Sequence, residues 1–219
     1  MKKDNMPQIA RFWNDIAEDF DTIYTGRKSA IPRRLDQWLR KDIYQRFAWV
    51  MDRAGDVRGQ DICDIGCGSG RFVTEFAKRG ARHVTGVDVA PEMLRLSKEL
   101  VTADGTADKC DFVLTDVLNW NTENTYDTTI AIGFWDYIQN PPERLKLIRK
   151  LTRKTFLSAW PRFWTWRMPV RIVRLQYIYG CPVYFFRRPR VEEMLRESGF
   201  EVVRCDTVGK LFCVEARPV

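Results

Sequence analysis

The chain has 219 residues, of which 45% are hydrophobic and 30% charged, and its net charge is +7. This composition excludes a disordered chain, no apolar run is long enough to span a membrane, and the polar start lacks the apolar stretch of a secretory signal. One histidine and six cysteines without a C-x-x-C pair argue against a bound metal and favour reduced thiols in the cytoplasm.

Short apolar runs alternate with amphipathic segments along the chain. Strands are predicted at 61–65, 84–87, 112–115, 128–132, 155–159, 201–204 and 211–215. Helices are predicted at 9–24, 71–78, from 91 onward, and at 143–153, 167–179 and 191–198. This alternation, followed by two adjacent strands, predicts a doubly wound, mostly parallel α/β sheet that ends in an antiparallel hairpin. We expect a single domain over residues 1–219.

A glycine-rich turn follows the first predicted strand and reads Asp64-Ile65-Gly66-Cys67-Gly68-Ser69-Gly70-Arg71. Glycines between a strand and a helix let a ligand approach backbone N–H groups closely. A dinucleotide fingerprint would need glycine where Arg71 stands, and the Lys-Ser/Thr of a Walker loop is absent. Asp64 at the loop entrance would repel a pyrophosphate and attract a cation such as an α-ammonium group.

Two further acids end the next two predicted strands. Asp88 lies about 20 residues after the loop, the spacing at which a carboxylate can bind a ribose diol. Asp116 could accept a hydrogen bond from an exocyclic amine, with Val117 against a purine face. An ammonium, a ribose and an adenine without phosphate describe S-adenosylmethionine (SAM). Taken singly, each acid also fits a helix cap, a strand end or a turn.

The order Asp64-x-Gly66-x-Gly68-x-Gly70, Asp88, Asp116 and Tyr126-Asp127 resembles that of the class I SAM-dependent methyltransferases. The resemblance covers residues 8–160 and 188–217. It implies a seven-stranded sheet with a terminal hairpin and methyl transfer to a small molecule. The cofactor contacts that it implies, completed by neighbouring residues of the same segments, are Asp64, Gly66, Cys67, Gly68, Gly70, Asp88, Val89, Met93, Asp116, Val117 and Ile132.

Methyl transfer from a sulfonium needs an acceptor lone pair in line with the S–CH3 bond and exclusion of water. A general base is needed only where the acceptor arrives protonated. Trp135, Asp136 and Tyr137 follow the fourth strand, where the family places residues that face the acceptor. We predict that Trp135 contacts the acceptor and that Asp136 and Tyr137 orient it, with Asp136 able to take a proton. The alternative is that Asp136 caps a helix and Tyr137 belongs to the core.

Two segments are predicted to shape the acceptor pocket. The predicted helix 9–24 lies within an N-terminal region, 1–50, that resembles the helical lid of small-molecule methyltransferases, and Tyr24 is its predicted substrate contact. The second segment, 161–187, is a basic aromatic insert. Its layout is similar to that of the magnesium-protoporphyrin O-methyltransferases, which esterify a porphyrin propionate.

Arg171 and Arg174 lie on one face of the insert's predicted helix. They can be solvated, can bind an acceptor carboxylate or phosphate, or can face an anionic membrane with Trp160 and nearby tryptophans at the interface. The last two roles suit an acidic or amphiphilic, aromatic or lipid-like acceptor. Asn140-Pro141-Pro142 is followed by Glu143 rather than tyrosine, which argues against methylation of nucleic-acid bases. A nucleic-acid methyltransferase and a noncatalytic SAM-binding partner protein stay open as alternatives.

Overall fold

The computed structural model describes residues 5–25, 41–163, 165 and 168–219, without the side chains at 19–25, 41, 42, 170, 171, 174 and 178. Its strands are β1 (Asp61–Ile65), β2 (His83–Asp88), β3 (Cys110–Leu114), β4 (Tyr126–Ile132), β5 (Thr152–Pro161), β6 (Phe200–Val208) and β7 (Leu211–Pro218). They form one sheet in the order β3-β2-β1-β4-β5-β7-β6. The first five strands are parallel, and β7 runs antiparallel between β5 and β6. The predicted mostly parallel sheet with a terminal hairpin is confirmed.

Helices cover both faces of this sheet. They are α1 (Met6–Thr25), α2 (Lys41–Ala54), α3 (Arg71–Lys78), α4 (Pro91–Ala103), α5 (Pro141–Leu151), α6 (Met168–Ile172) and α7 (Arg188–Glu197). A proline lies in the first turn of α4, α5 and α7, where its missing N–H costs no hydrogen bond. Single 3-10 turns at Val117–Asn119 and Trp135–Tyr137 follow β3 and β4.

The sheet separates two hydrophobic clusters. Ile62 packs with residues of α2, α3 and α4, whereas its neighbour Cys63 packs with residues of α1, α5 and α7. This division arises because successive side chains of a strand point to opposite faces. The carboxyl ends of all five parallel strands therefore meet at one edge between the helical layers, where such sheets bind ligands.

Two segments differ from the sequence prediction. The hairpin strands are longer than expected, because Gly209 adopts φ 56° and lets β6 and β7 pair up to Val208 and Leu211. The predicted helix 167–179 is α-helical only over Met168–Ile172 and continues as a π-helix over Val173–Ile178. Within the residues described, no helix is both long and apolar enough to cross a membrane.

Candidate functional site

A cavity of about 740 Å³ opens at the carboxyl edge of the sheet. The glycine loop after β1, the ends of β2, β3 and β4, and residues of α1 and α2 line it. The apolar residues Ile9 and Trp13 of α1 also line the cavity. A concave, mostly apolar site of this size with a few convergent polar groups is the usual form of a small-molecule pocket.

The glycine loop approaches the cavity through its backbone. Gly66 (φ 75°) and Gly68 (φ 55°) both adopt the left-handed conformation and line the cavity. A Cβ on Gly66 would lie 3.0 Å from Cδ2 of Phe134, whereas a Cβ on Gly68 would meet no heavy atom within 4 Å. The loop thus offers an open cradle at Gly68, as predicted for a site that a ligand approaches closely.

Gly70 has a different role from the one predicted. It does not line the cavity, and a Cβ on it would lie 2.8 Å from Oγ of Ser97 in α4. The Ser97 hydroxyl also donates a hydrogen bond to the Gly68 carbonyl at 2.7 Å. Gly70 is therefore a glycine because α4 packs against the loop there, which corrects its assignment as a cofactor contact.

Asp64 is buried behind the loop and is not part of the cavity lining. Its Oδ2 atom has no hydrogen-bond partner among the described residues. Burial raises the pKa of Asp64 well above its usual range, the Asp88 carboxylate raises it further, and Arg46 opposes the shift. The prediction that Asp64 contacts a ligand directly is therefore wrong. From its position behind the loop, Asp64 can act on a ligand in the cavity only electrostatically.

The Asp88 carboxylate is held rigidly at the end of β2. One oxygen accepts a hydrogen bond from the Gly68 N–H and the other from the Ala90 N–H, both at 2.9 Å. Burial raises the pKa of Asp88, and the backbone donors oppose that shift. Asp88 lines the cavity next to the glycine loop, where a carboxylate could bind the diol of a ribose.

Asp116, after β3, also lines the cavity, and a residue that sequence reasoning missed holds it. Arg144 of α5 donates two hydrogen bonds to its carboxylate, at 2.6 and 3.2 Å, and the Leu118 N–H donates a third at 3.3 Å. Both charged side chains are buried. No local pattern marks Arg144, because an arginine on an amphipathic helix is ordinarily solvated.

Arg46 of α2 is the second residue that sequence reasoning missed. It lines the cavity, and its guanidinium lies 3.3 Å from the position that a Cβ on Gly133 would occupy, just past β4. Within the described residues it makes no hydrogen bond or ion pair, although its charge lowers the pKa of Asp64. A half-buried arginine at this position can receive an anionic group of a ligand.

The turn after β4 places Asp136 and Tyr137 in the cavity lining, and both are buried. The Tyr137 ring packs edge-on against Trp13 of the lid, with 5.5 Å between ring centroids. The Asp136 carbonyl accepts a hydrogen bond from the Tyr184 N–H at 2.8 Å, which ties the insert to this turn. Helix α1, this turn and the segment 161–187 therefore meet at the cavity.

The prediction that Trp135 contacts the acceptor is wrong. Its side chain is fully buried, does not line the cavity, and stacks on Trp160 with 4.1 Å between ring centroids. Stacked indoles contribute about 0.5–1.5 kcal/mol beyond the burial of their area. Trp160 is fully buried as well, so its predicted position at a membrane interface is also wrong.

All five remaining predicted cofactor residues line the same cavity. They are Cys67, Val89, Met93, Val117 and Ile132. The Cys67 thiol packs against Gly86 of β2. The contact is so close that a Cβ added to Gly86 would lie only 2.9 Å from the sulfur. The side chains of the predicted substrate contacts Tyr24, Arg171 and Arg174 lie outside the described residues.

At the far end of the cavity, apolar and basic residues occur together. Leu175 and Phe185 of the insert line this end, as do Arg162 after β5 and Lys210 in the β6–β7 turn. The described residues include no cluster of side chains that could hold a metal ion. The arrangement can take an apolar body that carries an acidic group.

The comparison with protein families is consistent with this geometry. Residues 62–155 match the family described as a methyltransferase domain. The ubiquinone biosynthesis O-methyltransferase of Aeromonas salmonicida (strain A449) is 30% identical over 154 residues, which are 69% of this chain and 58% of that protein. The chain spans between 39% and 58% of the length of the first three curated relatives.

Solved structures share the fold over nearly the whole chain. Magnesium protoporphyrin IX methyltransferase from Synechocystis PCC 6803, crystallised with bound SAH, superposes with a TM-score of 0.77 at 17% identity, covering 99% of this chain and all of that one. The [4+2]-cyclase SpnF superposes with a TM-score of 0.74 at 15% identity, covering 97% and 96%. At these identities the likeness establishes the fold alone.

Proposed function

Because the chain belongs to the class I SAM-dependent methyltransferases, we propose that it transfers a methyl group from SAM to a small-molecule acceptor. The observation that carries the proposal is the fixed pair of carboxylates, Asp88 and Asp116, beside the open cradle at Gly68. Oδ2 of Asp64, buried behind that cradle, has no partner among the described residues, so a cationic ligand, which would stabilise the ionised carboxylate, fits better than a phosphate. The residues present therefore fit SAM.

Each part of SAM has a proposed partner in the cavity. Asp88 binds the ribose diol, Asp116 accepts from the adenine amine, and Val117 packs on the purine. Gly66, Gly68 and Ile132 border the methionine part, and Arg46 binds its carboxylate. Asp64 favours the positive charge from behind the loop, while Cys67, Val89 and Met93 complete the walls. When bound, SAM supplies a methyl group that its sulfonium already activates.

The protein contributes to the reaction by positioning the acceptor and by excluding water from the site. Tyr137 and Asp136, both buried, orient the acceptor at the end of β4, while the lid residues Trp13 and Ile9 exclude water. Where the acceptor arrives as a hydroxyl or a protonated amine, Asp136 takes its proton. An acceptor that carries a free lone pair needs only the positioning.

We propose an acidic or amphiphilic, aromatic or lipid-like acceptor. Leu175 and Phe185 provide the apolar wall, and Arg162 and Lys210 provide the positive charge. Tyr24, Arg171 and Arg174 are proposed to complete this end. The names of the relatives support the class, since they mention ubiquinone biosynthesis, sterols and magnesium protoporphyrin IX.

We propose a cytoplasmic enzyme of one domain, with its lid within 1–50 and its acceptor-facing insert at 161–187. The insert is also the proposed contact with an anionic membrane surface. Exposed Tyr177 and Tyr179 support that contact, whereas the buried Trp160 cannot take part. Nucleic acid is not the proposed substrate, because the candidate site is a cavity with apolar walls, whose lining includes the basic residues Arg46, Arg162 and Lys210.

A noncatalytic or differently catalytic SAM-binding protein is the second candidate. The observation that favours it is the likeness to a [4+2]-cyclase, which shows that this fold also serves proteins named for another reaction. Such a protein would bind SAM and yet form no S-adenosylhomocysteine (SAH) with any acceptor.

Two measurements test the proposed function. Isothermal calorimetry of the purified protein should detect binding of SAM and SAH but not of NAD or ATP, and Asp88→Ala should abolish that binding. Incubation with methyl-labelled SAM and fractionated cell extract should transfer label to a small molecule, identified by mass spectrometry. Binding of NAD or ATP in place of SAH would overturn the cofactor assignment, and SAM binding without methyl transfer would favour the second candidate.

A further inference from the structure

A second cavity of about 470 Å³ opens beside the main one, and Arg162 lines both. It lies where the end of β5, the start of α7 and the start of β7 meet. The Phe163 N–H donates to the Phe186 carbonyl at 2.9 Å, and the Phe186 N–H donates to the Pro161 carbonyl at 2.8 Å. We call it the arginine–phenylalanine pocket, after its lining residues Arg162, Phe163, Phe186, Arg187, Arg188 and Phe212.

Two of its arginines stack on its phenylalanines. The Arg187 guanidinium carbon lies 5.0 Å from the centre of the Phe163 ring, and that of Arg162 lies 5.5 Å from the centre of the Phe212 ring. Stacking fixes the plane of a guanidinium and leaves its N–H edge available to an anion. Within the described part of the chain, the Arg162 side chain donates a single hydrogen bond, to the Gly209 carbonyl at 3.1 Å.

The charges of this pocket are not balanced. Arg188 pairs with Glu192 at 2.7 Å, but Arg162 and Arg187 have no carboxylate at ion-pair distance among the residues described. Arginines elsewhere on this part of the surface are paired, as Arg190 is with Glu193. Two uncompensated, pre-oriented guanidinium groups beside aromatic walls form a site for an anion attached to an apolar body.

We propose that the arginine–phenylalanine pocket binds a second acidic group, a carboxylate or a phosphate, at the end of the methyl acceptor remote from the methylated atom. This inference rests on the proposed function, because Arg162 lines both cavities and so places the pocket next to the main one. The acceptor is then an amphiphilic acid whose apolar body passes Arg162 and ends in an anionic group between Arg162 and Arg187.

A matched pair of dyes tests the pocket. The probes are the sulfonate 8-anilinonaphthalene-1-sulfonate (ANS) and its uncharged parent N-phenyl-1-naphthylamine, both followed by fluorescence. In Arg187→Gln one component of ANS binding should weaken about tenfold, while binding of the neutral dye stays unchanged. Arg190→Gln removes the same charge from an exposed, paired position and should change neither. If Arg187→Gln leaves every component of ANS binding unchanged, the proposal is overturned.

Two further measurements separate the alternatives. Arg187→Gln should retain SAH affinity in calorimetry. A failure of SAH to bind even the parent protein would defeat the proposed function and with it the acceptor role of the pocket, whereas the ANS measurement would still show whether the pocket binds an anion. Sedimentation with phosphatidylglycerol and phosphatidylcholine vesicles identifies a lipid headgroup as the occupant. Loss of phosphatidylglycerol binding in Arg187→Gln with unchanged ANS binding would assign the pocket to a membrane lipid and refute its place in acceptor binding.

Discussion

Arg144 and Asp116 form an ion pair beside the cavity in which the two side chains are only 5% and 4% exposed. A buried carboxylate with one arginine and one backbone donor has a fixed orientation before any ligand arrives. These donors make three hydrogen bonds, so one of its four lone-pair directions, on Oδ2, remains for an adenine amine. Helix α5, which lies outside the cavity, thereby acts on the proposed adenine contact through Arg144.

Removal of Arg144 should first reduce stability. Arg144→Met leaves an uncompensated buried charge, which costs about 3–5 kcal/mol and lowers the melting temperature by about 10 °C. The double variant Arg144→Met with Asp116→Asn should restore stability, because no buried charge remains. Differential scanning calorimetry measures both. A single variant as stable as the parent protein would show that the pair is not buried in solution.

The same double variant tests the purine contact. The parent protein should prefer SAH over S-inosylhomocysteine, which lacks the exocyclic amine, by about tenfold or more, since a good hydrogen bond to a charged group contributes about 1.5–3 kcal/mol. The folded double variant should show a clearly smaller preference in calorimetric titration with both ligands, because an amide oxygen accepts a weaker hydrogen bond than a carboxylate. An undiminished preference would contradict the contact between Asp116 and the amine.

Asp64 should make the ligand-free protein less stable as the pH rises. Burial raises the pKa of Asp64, so above about pH 4 the folded state holds a proton that the unfolded state releases. Stability therefore falls with increasing pH up to the raised pKa. Asp64→Asn should flatten this slope and raise the melting temperature at pH 8, measured by circular dichroism.

Asp206 supplies a control of opposite sign for this pH dependence. The Trp49 indole and Arg204 lower the pKa of Asp206 through hydrogen bonds, so its contribution to stability is present above the unfolded pKa and is lost as the pH falls. Asp206→Asn should therefore destabilise the protein at pH 8. Parallel pH profiles for Asp64→Asn and the parent protein would contradict the role of Asp64.

Arg46 should recognise the methionine carboxylate. Arg46→Gln is expected to weaken SAH binding about tenfold, because it removes a charge-assisted hydrogen bond. Binding of 5′-methylthioadenosine, which has no carboxylate, should stay unchanged in the same calorimetric titrations. Unchanged SAH affinity together with a raised KM for the acceptor would show that Arg46 binds the acceptor and not the methionine carboxylate.

The two loop glycines should respond differently to a methyl group. Gly70→Ala forces a Cβ to within 2.8–3.0 Å of Ser97 and strains a φ of 79°, so it should lower the melting temperature most. Gly68→Ala carries only the strain of its φ, about 1–3 kcal/mol, but should strongly weaken SAH binding. Thermal unfolding and calorimetry distinguish the two, and equal losses of stability would contradict the packing role of Gly70.

Asp136 should affect turnover and not cofactor binding. If the acceptor arrives protonated, Asp136→Asn should lower kcat by about 10²–10⁴ at unchanged SAH affinity, because general base catalysis is lost. Tyr137→Phe keeps the ring against Trp13 and tests the hydroxyl alone. Unchanged turnover in both Asp136→Asn and Tyr137→Phe would show that this turn only lines the cavity and takes no part in the reaction.

Much of the fold was readable from the sequence because its signals are local. The apolar runs, the prolines at helix starts and the glycine loop between β1 and α3 depend on residues close together in the chain. The ends of parallel strands must meet at one edge, so Asp88 and Asp116 could be placed in one site from their positions alone.

Helix faces were less predictable. The residues that α4 and α5 bury include the polar side chains of Ser97 and Arg144. Each of these polar side chains is inside because it meets a partner from a distant segment, the Gly68 carbonyl or the Asp116 carboxylate. An amphipathic pattern does not carry that information, because it records polarity and not the identity of the partner.

The sequence by itself therefore determined the α/β architecture, the cofactor loop and the acids around it. Only the tertiary structure decided that Trp135 stacks in the core, that Gly70 serves packing and that Arg46 faces the cavity. The physical reason is the range of the interactions. Backbone conformation and strand order follow from neighbouring residues, whereas burial, ion pairing and ring stacking depend on which distant side chains the folded chain brings into contact.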